Sequence, residues 1–386
     1  MNFELSEEHL KIKNLAREFA EGVIKPKAKE LDEKEEFSVE ITKQMAELGF
    51  LGITVSEEYG GMGLDYLSYI LIVEEIARVD GSHAATVAAH NSLGTGPIFN
   101  FGNKQQKEKY LPKICNGYLW AFGLTEPGAG SDSRGTKTIA KKKDNCYIIN
   151  GQKTFITNGD TPLTIGATVQ AISGSDPNSE KKEYTCFLVE KGTPGFSTRT
   201  MKGKLMWRAS NTSELFFEDC CVPEENILGK LGEGSKIMLS TLDSGRLAIA
   251  AMGLGCAQGA FELALKYAKQ REQFGKPIAN FQAISFKLAD MAVKIETARN
   301  LLYKACWLKD NKKPFSMEAA MAKLYCSEVA KEVADEAVQI HGGYGLMKEY
   351  EIERFYRDQR LLQIGEGTSE IQRIVIARHL GLNPIF

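Results

Sequence analysis

The stretch Tyr147-Ile148-Ile149-Asn150-Gly151-Gln152-Lys153-Thr154-Phe155-Ile156 decides the fold class, because it is the strongest strand signal in a chain that otherwise reads as helix. Apolar residues flank Asn150-Gly151, a pair that supplies the positive φ angles of a tight turn. The stretch therefore predicts a β-hairpin. Tyr184 to Val189 and Leu215 to Phe217 read as further strands, and Asp176-Pro177-Asn178-Ser179 as an exposed turn. Glycine, proline and threonine rise from Trp120 onwards, and apolar runs shorten. A small β-domain over residues 120–228 follows.

On its N-terminal side, residues 1–119 read as a helical domain. Ser6 is a fair N-cap, and Glu7 and Glu8 suit the positive end of a helix dipole. Ile12, Leu15, Ala16, Phe19, Ala20 and Val23 follow with helical spacing, and Pro26 marks the expected end. A second helix covers Ile41, Met45 and Leu48, and Glu57 to Gly63 is a loop. Helical patterns resume at Leu67 and again from Ala84 to Phe99.

Residues 229–386 are helical again. Ile284, Leu288, Met291, Ile295, Ala298, Leu302 and Ala305 alternate four and three apart, a heptad-like stripe that predicts packing in a bundle. Ser316 to Ile340 is another long helix. Ala248, Ala250, Ala251, Gly253 and Gly255 permit close helix approach.

Composition narrows the function classes. The 386 residues carry 48 lysines and arginines against 50 aspartates and glutamates, a net charge of −2. That balance argues against a protein built around nucleic-acid phosphates. No run of about 18 apolar residues is apparent, so no membrane span is expected. The chain enters an amphipathic helix within its first residues, so no signal peptide is expected. These features predict a cytoplasmic protein of bacterial or archaeal type, or an organelle-matrix protein if a targeting peptide was removed. Eight cysteines without a CxxC pair predict reduced thiols, not a disulfide framework or zinc site, and the five histidines form no HExxH.

Some motif matches are better read as structure. Gly253-Leu254-Gly255 with Gly259 has the wrong spacing for a dinucleotide loop and lies in a helical stretch, so helix packing explains it. Gly151-Gln152-Lys153-Thr154 lacks the upstream glycine of a phosphate loop. His341 reads as a helix-end residue.

Three segments carry more. Leu124-Thr125-Glu126-Pro127-Gly128-Ala129-Gly130-Ser131-Asp132 is rich in hydroxyls and backbone N–H groups, and suits either an anionic ligand or a surface turn. Arg271-Glu272-Gln273-Phe274-Gly275-Lys276-Pro277 ends a helix, where the arginine can hold a phosphate or simply be solvated. In Ile364-Gly365-Glu366-Gly367-Thr368-Ser369-Glu370-Ile371-Gln372-Arg373, Ser369 and Gln372 form a capping-box pattern that starts a helix. Glu366 lies between glycines, so nothing obstructs its approach to a ligand. Desolvation there would raise its pKa towards the range of a useful base, whereas a solvated position would leave a glutamate favoured by the helix dipole.

Taken together, these segments resemble the acyl-CoA dehydrogenase family over essentially the whole chain. The likeness rests on Glu57-Glu58-Tyr59-Gly60-Gly61, Leu124 to Asp132, Asn150 to Gly159, Arg271 to Pro277, Gln339-Ile340-His341-Gly342-Gly343-Tyr344-Gly345 and Glu366-Gly367-Thr368. The resemblance implies a mainly α fold with an N-terminal helical domain, a β-barrel-like middle domain and a C-terminal four-helix bundle. It implies FAD, an acyl-CoA substrate, a homotetramer built as a dimer of dimers, and electron-transfer flavoprotein as acceptor. The implied reaction is α,β-dehydrogenation of the thioester to the 2-enoyl-CoA. Glu366 would be the base for the α-proton and flavin N5 the hydride acceptor.

The resemblance also assigns residues. Phe122, Leu124, Thr125, Gly130, Ser131, Phe155, Ile156 and Thr157 would line the flavin, with Thr125 and Thr157 hydrogen-bonding its ring. Ser131, Asp243, Arg246 and Gly367 would contact the acyl-CoA. Arg271, Gln273, Phe274, Gln282, Gln339 and Gly343 would reach the FAD of a neighbouring subunit, and Phe281 and Gly342 also belong to the cofactor set. Thr368 and Glu370 would close the flavin site. Some subfamilies place the base on the helix near Asp243, where this chain has Gly245. Many relatives with straight-chain substrates carry tyrosine before the catalytic glutamate. Gly365 stands there instead, which implies room for branched or cyclic acyl groups. Met206-Trp207 is bulkier than the family pattern. Readings kept open beside this one are an enoyl-CoA reductase, an acyl-CoA oxidase and a non-catalytic flavoprotein scaffold.

Overall fold

A computed structural model describes residues 4–175 and 181–384. The N-terminal region is helical, with α1 (Glu7–Phe19), α2 (Lys25–Lys34), α3 (Val39–Glu47), α4 (Tyr66–Ala77), α5 (Gly81–Ala89), α6 (Gly96–Phe101) and α7 (Lys104–Cys115). The Ser6 hydroxyl accepts the His9 N–H and caps α1 as expected. Pro26, however, does not end the first helix. The backbone passes through one wide turn, Ala20–Ile24, directly into α2. Pro26 falls in the first turn of α2, where a missing N–H costs least.

The middle region is one sheet of β1 (Leu119–Gly123), β2 (Ile139–Lys143), β3 (Cys146–Thr157), β4 (Thr164–Ser175), β5 (Lys182–Glu190), β6 (Phe196–Thr200), β7 (Thr212–Pro223) and β8 (Ile227–Leu228). Its order is β6-β7-β3-β2-β4-β5-β8, with β1 parallel to β4. Ala121, Ala140, Ile149, Val169, Phe187 and Phe217, from six different strands, meet in one buried core. The sheet therefore curls around its own interior, in barrel-like fashion.

Asn150-Gly151 is not a turn. β3 runs unbroken through the pair, and the register with β7 slips between Ile149 and Gly151. The cause lies on β7 and just ahead of β2. Asn150 donates to Asp219 Oδ1 at 3.1 Å and accepts the Asp219 N–H at 2.8 Å. Gly151 has φ +150°, and a Cβ there would lie 2.7 Å from Thr138 Cα. The pair thus forms a bulge that fits β3 against both neighbours. The tight turn is at Asp144-Asn145, between paired Lys143 and Cys146, with Asp144 at φ +52°. The expected turn at Asp176 to Ser179 lies outside the described residues.

Cys146 and Cys221 form a disulfide across β3 and β7, correcting the expectation of reduced thiols throughout. Adjacent strands bring the two residues together although 75 positions separate them in sequence. Cys115, Cys186, Cys220, Cys256, Cys306 and Cys326 are free and buried.

The C-terminal region contains α8 (Gly234–Gln270), a short ribbon of β9 (Glu272–Gln273) and β10 (Lys276–Pro277), then α9 (Gln282–Asp310), α10 (Ser316–His341), α11 (Ile352–Asp358) and α12 (Ser369–His379). α8, α9 and α10 pack on one another, α12 packs on α10, and α4 docks on α8. The stripe from Leu288 to Ala305 is buried along α9. Gly253 admits the Cys326 carbonyl of α10, which would lie 2.8 Å from an added Cβ, and Gly255 and Gly259 admit the backbone of α4 and Arg78. Contrary to the sequence-based expectation, α8 is long and apolar enough to pass as a membrane span, but 78% of that window is buried inside the protein. Small Ala and Gly residues raise its hydropathy, and helices cover it on several sides. His341 ends α10, donates its Nδ1–H to the Ala337 carbonyl at 2.7 Å, and stacks on Tyr267.

Candidate active site

Glu366 sits in the turn before α12, with φ +53°, followed by Gly367 at +95°. Glycine adopts that conformation freely, whereas a glutamate pays strain for it. The turn is held by buried donors. Lys323 of α10 donates Nζ to the Gly367 carbonyl at 2.7 Å, and Gln372 donates Nε2 to the same oxygen at 2.8 Å. Both residues are fully buried. The expected capping box is not formed. Gln372 is committed to the turn, Ser369 donates to Glu328 at 2.9 Å, and the Thr368 hydroxyl caps α12 by accepting the Ile371 N–H at 3.3 Å.

The Glu366 carboxylate is turned inwards. Its Oε2 is out of contact with solvent and has no hydrogen-bond partner among the described residues. A Cβ added at Gly245 of α8 would collide with that oxygen and approach Leu93 Cδ2 to 3.2 Å. The missing side chain at Gly245 thus makes the space the carboxylate occupies. Burial pushes the Glu366 pKa up to about 7, and the charges of Lys323 and Arg246 offset only part of that rise.

Around it lie Arg246 and Asp243, joined as an ion pair, with Ser316 donating to Asp243 at 3.0 Å. Arg246 is buried, and its Nε has no partner among the described residues. Tyr66 and Tyr69 of α4 also feel the Glu366 charge, and burial drives both phenols upwards. Tyr66 donates to the Ser244 carbonyl and Tyr69 to the Ala88 carbonyl, each at 2.7 Å. The structure therefore gathers Glu366, Gly367, Asp243 and Arg246, as the sequence suggested. It adds Lys323, Gln372, Tyr66 and Tyr69, which sequence reasoning missed. For Lys323 a signal existed: it lies three or four positions from buried Ala319, Ala320 and Cys326, on their face of the helix.

A second group joins the Leu124–Asp132 loop to β3. Fully buried Lys153 donates to the Leu124 carbonyl at 3.3 Å and to Glu126 Oε1 at 2.8 Å. The Thr154 N–H donates to the Thr125 carbonyl at 2.9 Å. Phe155 has φ +58° and leaves its ring 66% exposed, an unusual position for a strand phenylalanine. The hydroxyls of Thr125 and Thr157 make no hydrogen bond among the described residues. Gly130 and Ser131 are exposed. Phe122 and Ile156 differ from expectation: their side chains pack into protein cores, leaving only backbone to face a ligand.

A third group lies at the end of the bundle. Arg271 stands 5.6 Å over the Tyr344 ring in the turn after α10. Phe274 is 93% exposed and meets Phe281 edge-on. Gln273, Gln282, Gln339, Gly342 and Gly343 are exposed along the same segments. Glu370 is exposed at the start of α12, where backbone N–H and the Thr368 hydroxyl hold its carboxyl below the usual range.

FAD fits these residues. Free hydroxyls at Thr125 and Thr157 beside the bare Phe155 ring match a planar ring with polar edges. Gly128 and Gly130 keep the space around the loop open. A carboxylate that titrates near neutral pH, combined with such a platform, defines a flavin-dependent dehydrogenase. Within that class the chain belongs to the acyl-CoA dehydrogenase family, and it is an FAD-dependent acyl-CoA dehydrogenase. The family's N-terminal, middle and C-terminal domains match residues 6–118, 121–220 and 232–381. The short-chain-specific acyl-CoA dehydrogenase of Clostridium acetobutylicum is 45% identical over 98% of this chain and 99% of its own. Butyryl-CoA dehydrogenase from Megasphaera elsdenii superposes with a TM-score of 0.94 and 45% identity, covering 98% of this chain and 100% of that one. A chain from work on the electron transferring flavoprotein of Acidaminococcus fermentans gives 0.95 and 48%, covering 98% and 99%.

Proposed function

We propose that Glu366 is the base that removes the α-proton from a saturated acyl-CoA thioester. The observation that carries this is the unpartnered, desolvated Oε2, facing the space left by Gly245. FAD, when bound, would supply the acceptor for the β-hydrogen, which leaves as hydride. The protein supplies the rest. Glu366 keeps the α-proton on its carboxylate. Its own backbone N–H makes no hydrogen bond among the described residues, and donates to the thioester oxygen as negative charge develops there. Thr125, Phe155 and Thr157 hold the ring system. Asp243, Arg246, Ser131 and Gly367 hold the CoA thioester.

Electron-transfer flavoprotein is the proposed acceptor, supported by the Acidaminococcus relative. A homotetramer, a dimer of dimers, is supported by Phe274 and its exposed neighbours, which find no cover within one chain. The acyl group is short, in keeping with the Clostridium and Megasphaera relatives, and carries its bulk beside the reacting carbons. Gly365 is the basis of the latter: no side chain stands at the residue before the base, and a Cβ built there would meet only Leu361, at 2.9 Å from its Cδ2.

An anaerobic absorbance titration of the purified holoenzyme with straight, branched and cyclic acyl-CoAs tests the reading. Flavin bleaching that disappears in Glu366→Gln is expected, with the fastest substrate defining the pocket. A flavin that no saturated acyl-CoA reduces, yet reoxidised by enoyl-CoA after chemical reduction, would reverse the physiological direction. If Gly365→Tyr leaves bulky and straight substrates in the same ratio, the proposal about bulk fails.

A further inference from the structure

The Glu366 turn rests on a lysine that no hydrogen bond ties to the carboxylate. Lys323 is fully buried, yet its ammonium contacts the backbone, at the Gly367 carbonyl. Gln372 donates to that same oxygen and, at 3.4 Å, towards the Glu366 carbonyl. Two donors on one carbonyl fix the plane of the Gly367–Thr368 peptide, one peptide beyond that of the base. Only one of them brings a charge. A buried cation costs several kcal/mol unless something compensates it. The neighbouring carboxylates of Glu366, Glu328 and Glu370 are the groups available.

We propose that Lys323 is a positioning residue for the reaction, which holds the Glu366–Gly367 turn in its left-handed geometry and sets, through its charge, the pH at which Glu366 becomes a base. This rests on the reading of Glu366 as the base. The charged and titratable groups facing Glu366 are Lys323 from α10, Arg246 with Asp243 from α8, and Tyr66 and Tyr69 from α4. Arg246 is already paired with Asp243, and both phenols are neutral at working pH. Lys323 is thus the cation whose removal the carboxylate feels most. Burial pulls the Lys323 pKa down to about 8, against the raising charge of Glu366, so lysine and glutamate titrate close together as a coupled pair.

The two roles separate by substitution. Lys323→Met removes charge and hydrogen bond. Lys323→Arg keeps the charge. Gln372→Met keeps the charge and removes the other donor on the Gly367 carbonyl. The rate of flavin reduction by butyryl-CoA is followed anaerobically from pH 5.5 to 9.5 in each FAD-loaded protein. The carboxyl infrared band of substrate-free holoenzyme is titrated in parallel, with Glu366→Gln subtracted. In Lys323→Met the midpoint of both is expected to rise by about one pH unit or more, as loss of a nearby opposite charge requires. Lys323→Arg should restore it. Gln372→Met should lower the plateau rate and leave the midpoint in place. Should Lys323→Met fail to retain FAD, Lys323→Gln supplies the neutral side chain in polar form. An unmoved midpoint in either neutral variant, or an equal shift in Gln372→Met, overturns the inference while Glu366→Gln remains inactive. Reduction that persists in Glu366→Gln overturns instead the reading of the base.

Discussion

Glu126 and Glu366 each place a carboxylate in the protein interior near a buried lysine, and they behave in opposite ways. Burial alone would raise the pKa of each. At Glu126 the Lys153 ammonium, the Thr138 hydroxyl and the Lys137 and Thr138 N–H groups all donate to the carboxylate, and its pKa ends below the usual value. At Glu366 the lysine spends its contact on a backbone carbonyl, and the pKa ends near 7. The presence of a buried lysine therefore does not separate the two sites, but its placement does: the Lys153 ammonium sits on the carboxylate and the Lys323 ammonium on a backbone carbonyl. The hydrogen bonds from Thr138 and the Lys137 N–H add to the difference. A satisfied carboxylate is a strut for the Leu124–Asp132 loop. An unsatisfied one is chemically available.

The largest expected effect tests that contrast directly. Glu366→Gln should slow flavin reduction by about 10²–10⁴-fold while the protein stays folded and yellow, because a general base contributes on that scale. Rapid-mixing absorbance and a melting curve on the same sample check both halves. Loss of folding together with activity would assign Glu366 a structural role like that of Glu126.

Lys153→Met is the mirror experiment. It leaves the Glu126 charge buried without its cation, at side-chain exposures of 0% and 6% for the original pair. A loss of about 3–5 kcal/mol in stability is expected, with weaker FAD retention and no change in the pH midpoint of reduction. Denaturant unfolding and flavin content after gel filtration measure it. A moved pH midpoint would break the distinction between strut and base.

Gly245→Ala is smaller and more local. The added methyl collides with Glu366 Oε2 and pushes the carboxylate aside. A displacement of that size is expected to cost about 10²-fold in reduction rate. Replacing a mid-helix glycine by alanine should leave stability unchanged or raise it by up to about 1 kcal/mol. Activity and stability moving in opposite directions is the signature to look for.

How far these sites were legible in sequence follows from where each is determined. The helix–sheet–helix order was legible because periodicity is a local property, and the α9 stripe is buried as its spacing predicts. Asn150-Gly151 misled because a turn signal is local, whereas its bulge is imposed by Asp219 of β7 and by Thr138, just ahead of β2. Pro26 misled for a related reason: a proline in the first turn of a new helix looks like the end of the old one. Glu366 was legible through its flanking glycines. Lys323 was legible only in part: its spacing from buried neighbours puts it on the inner face of α10, but a lysine in a helix is ordinarily solvated, and its partner, the Gly367 carbonyl, comes from a turn that sequence does not place nearby. The capping role also shifted by one residue, to Thr368, because Gln372 was claimed by a carbonyl that sequence alone does not place nearby.

The smallest effect lies in stability rather than rate, and it has opposite signs at the two glutamates. Glu366 has a folded pKa of about 7 against an ordinary value of 4.5, so between those pH values the folded state holds more protons than the unfolded chain. Stability therefore falls as pH rises through that window, and the penalty is complete above it. Compared with Glu366→Gln, the wild-type protein should lose about 1–3 kcal/mol between pH 4.5 and 7.5. Asp358, also raised to about 7 by burial, is common to both proteins and cancels in the difference. Glu126, held below its ordinary value, gives the reverse: its contribution is complete above the unfolded pKa and is lost as pH falls through the folded one. Melting curves of wild type, Glu366→Gln and Glu126→Gln across pH 4 to 8 should thus diverge at opposite ends of the range. Curves that diverge at the same end would mean that the two carboxylates are solvated alike, and the contrast drawn from their hydrogen bonds would fall.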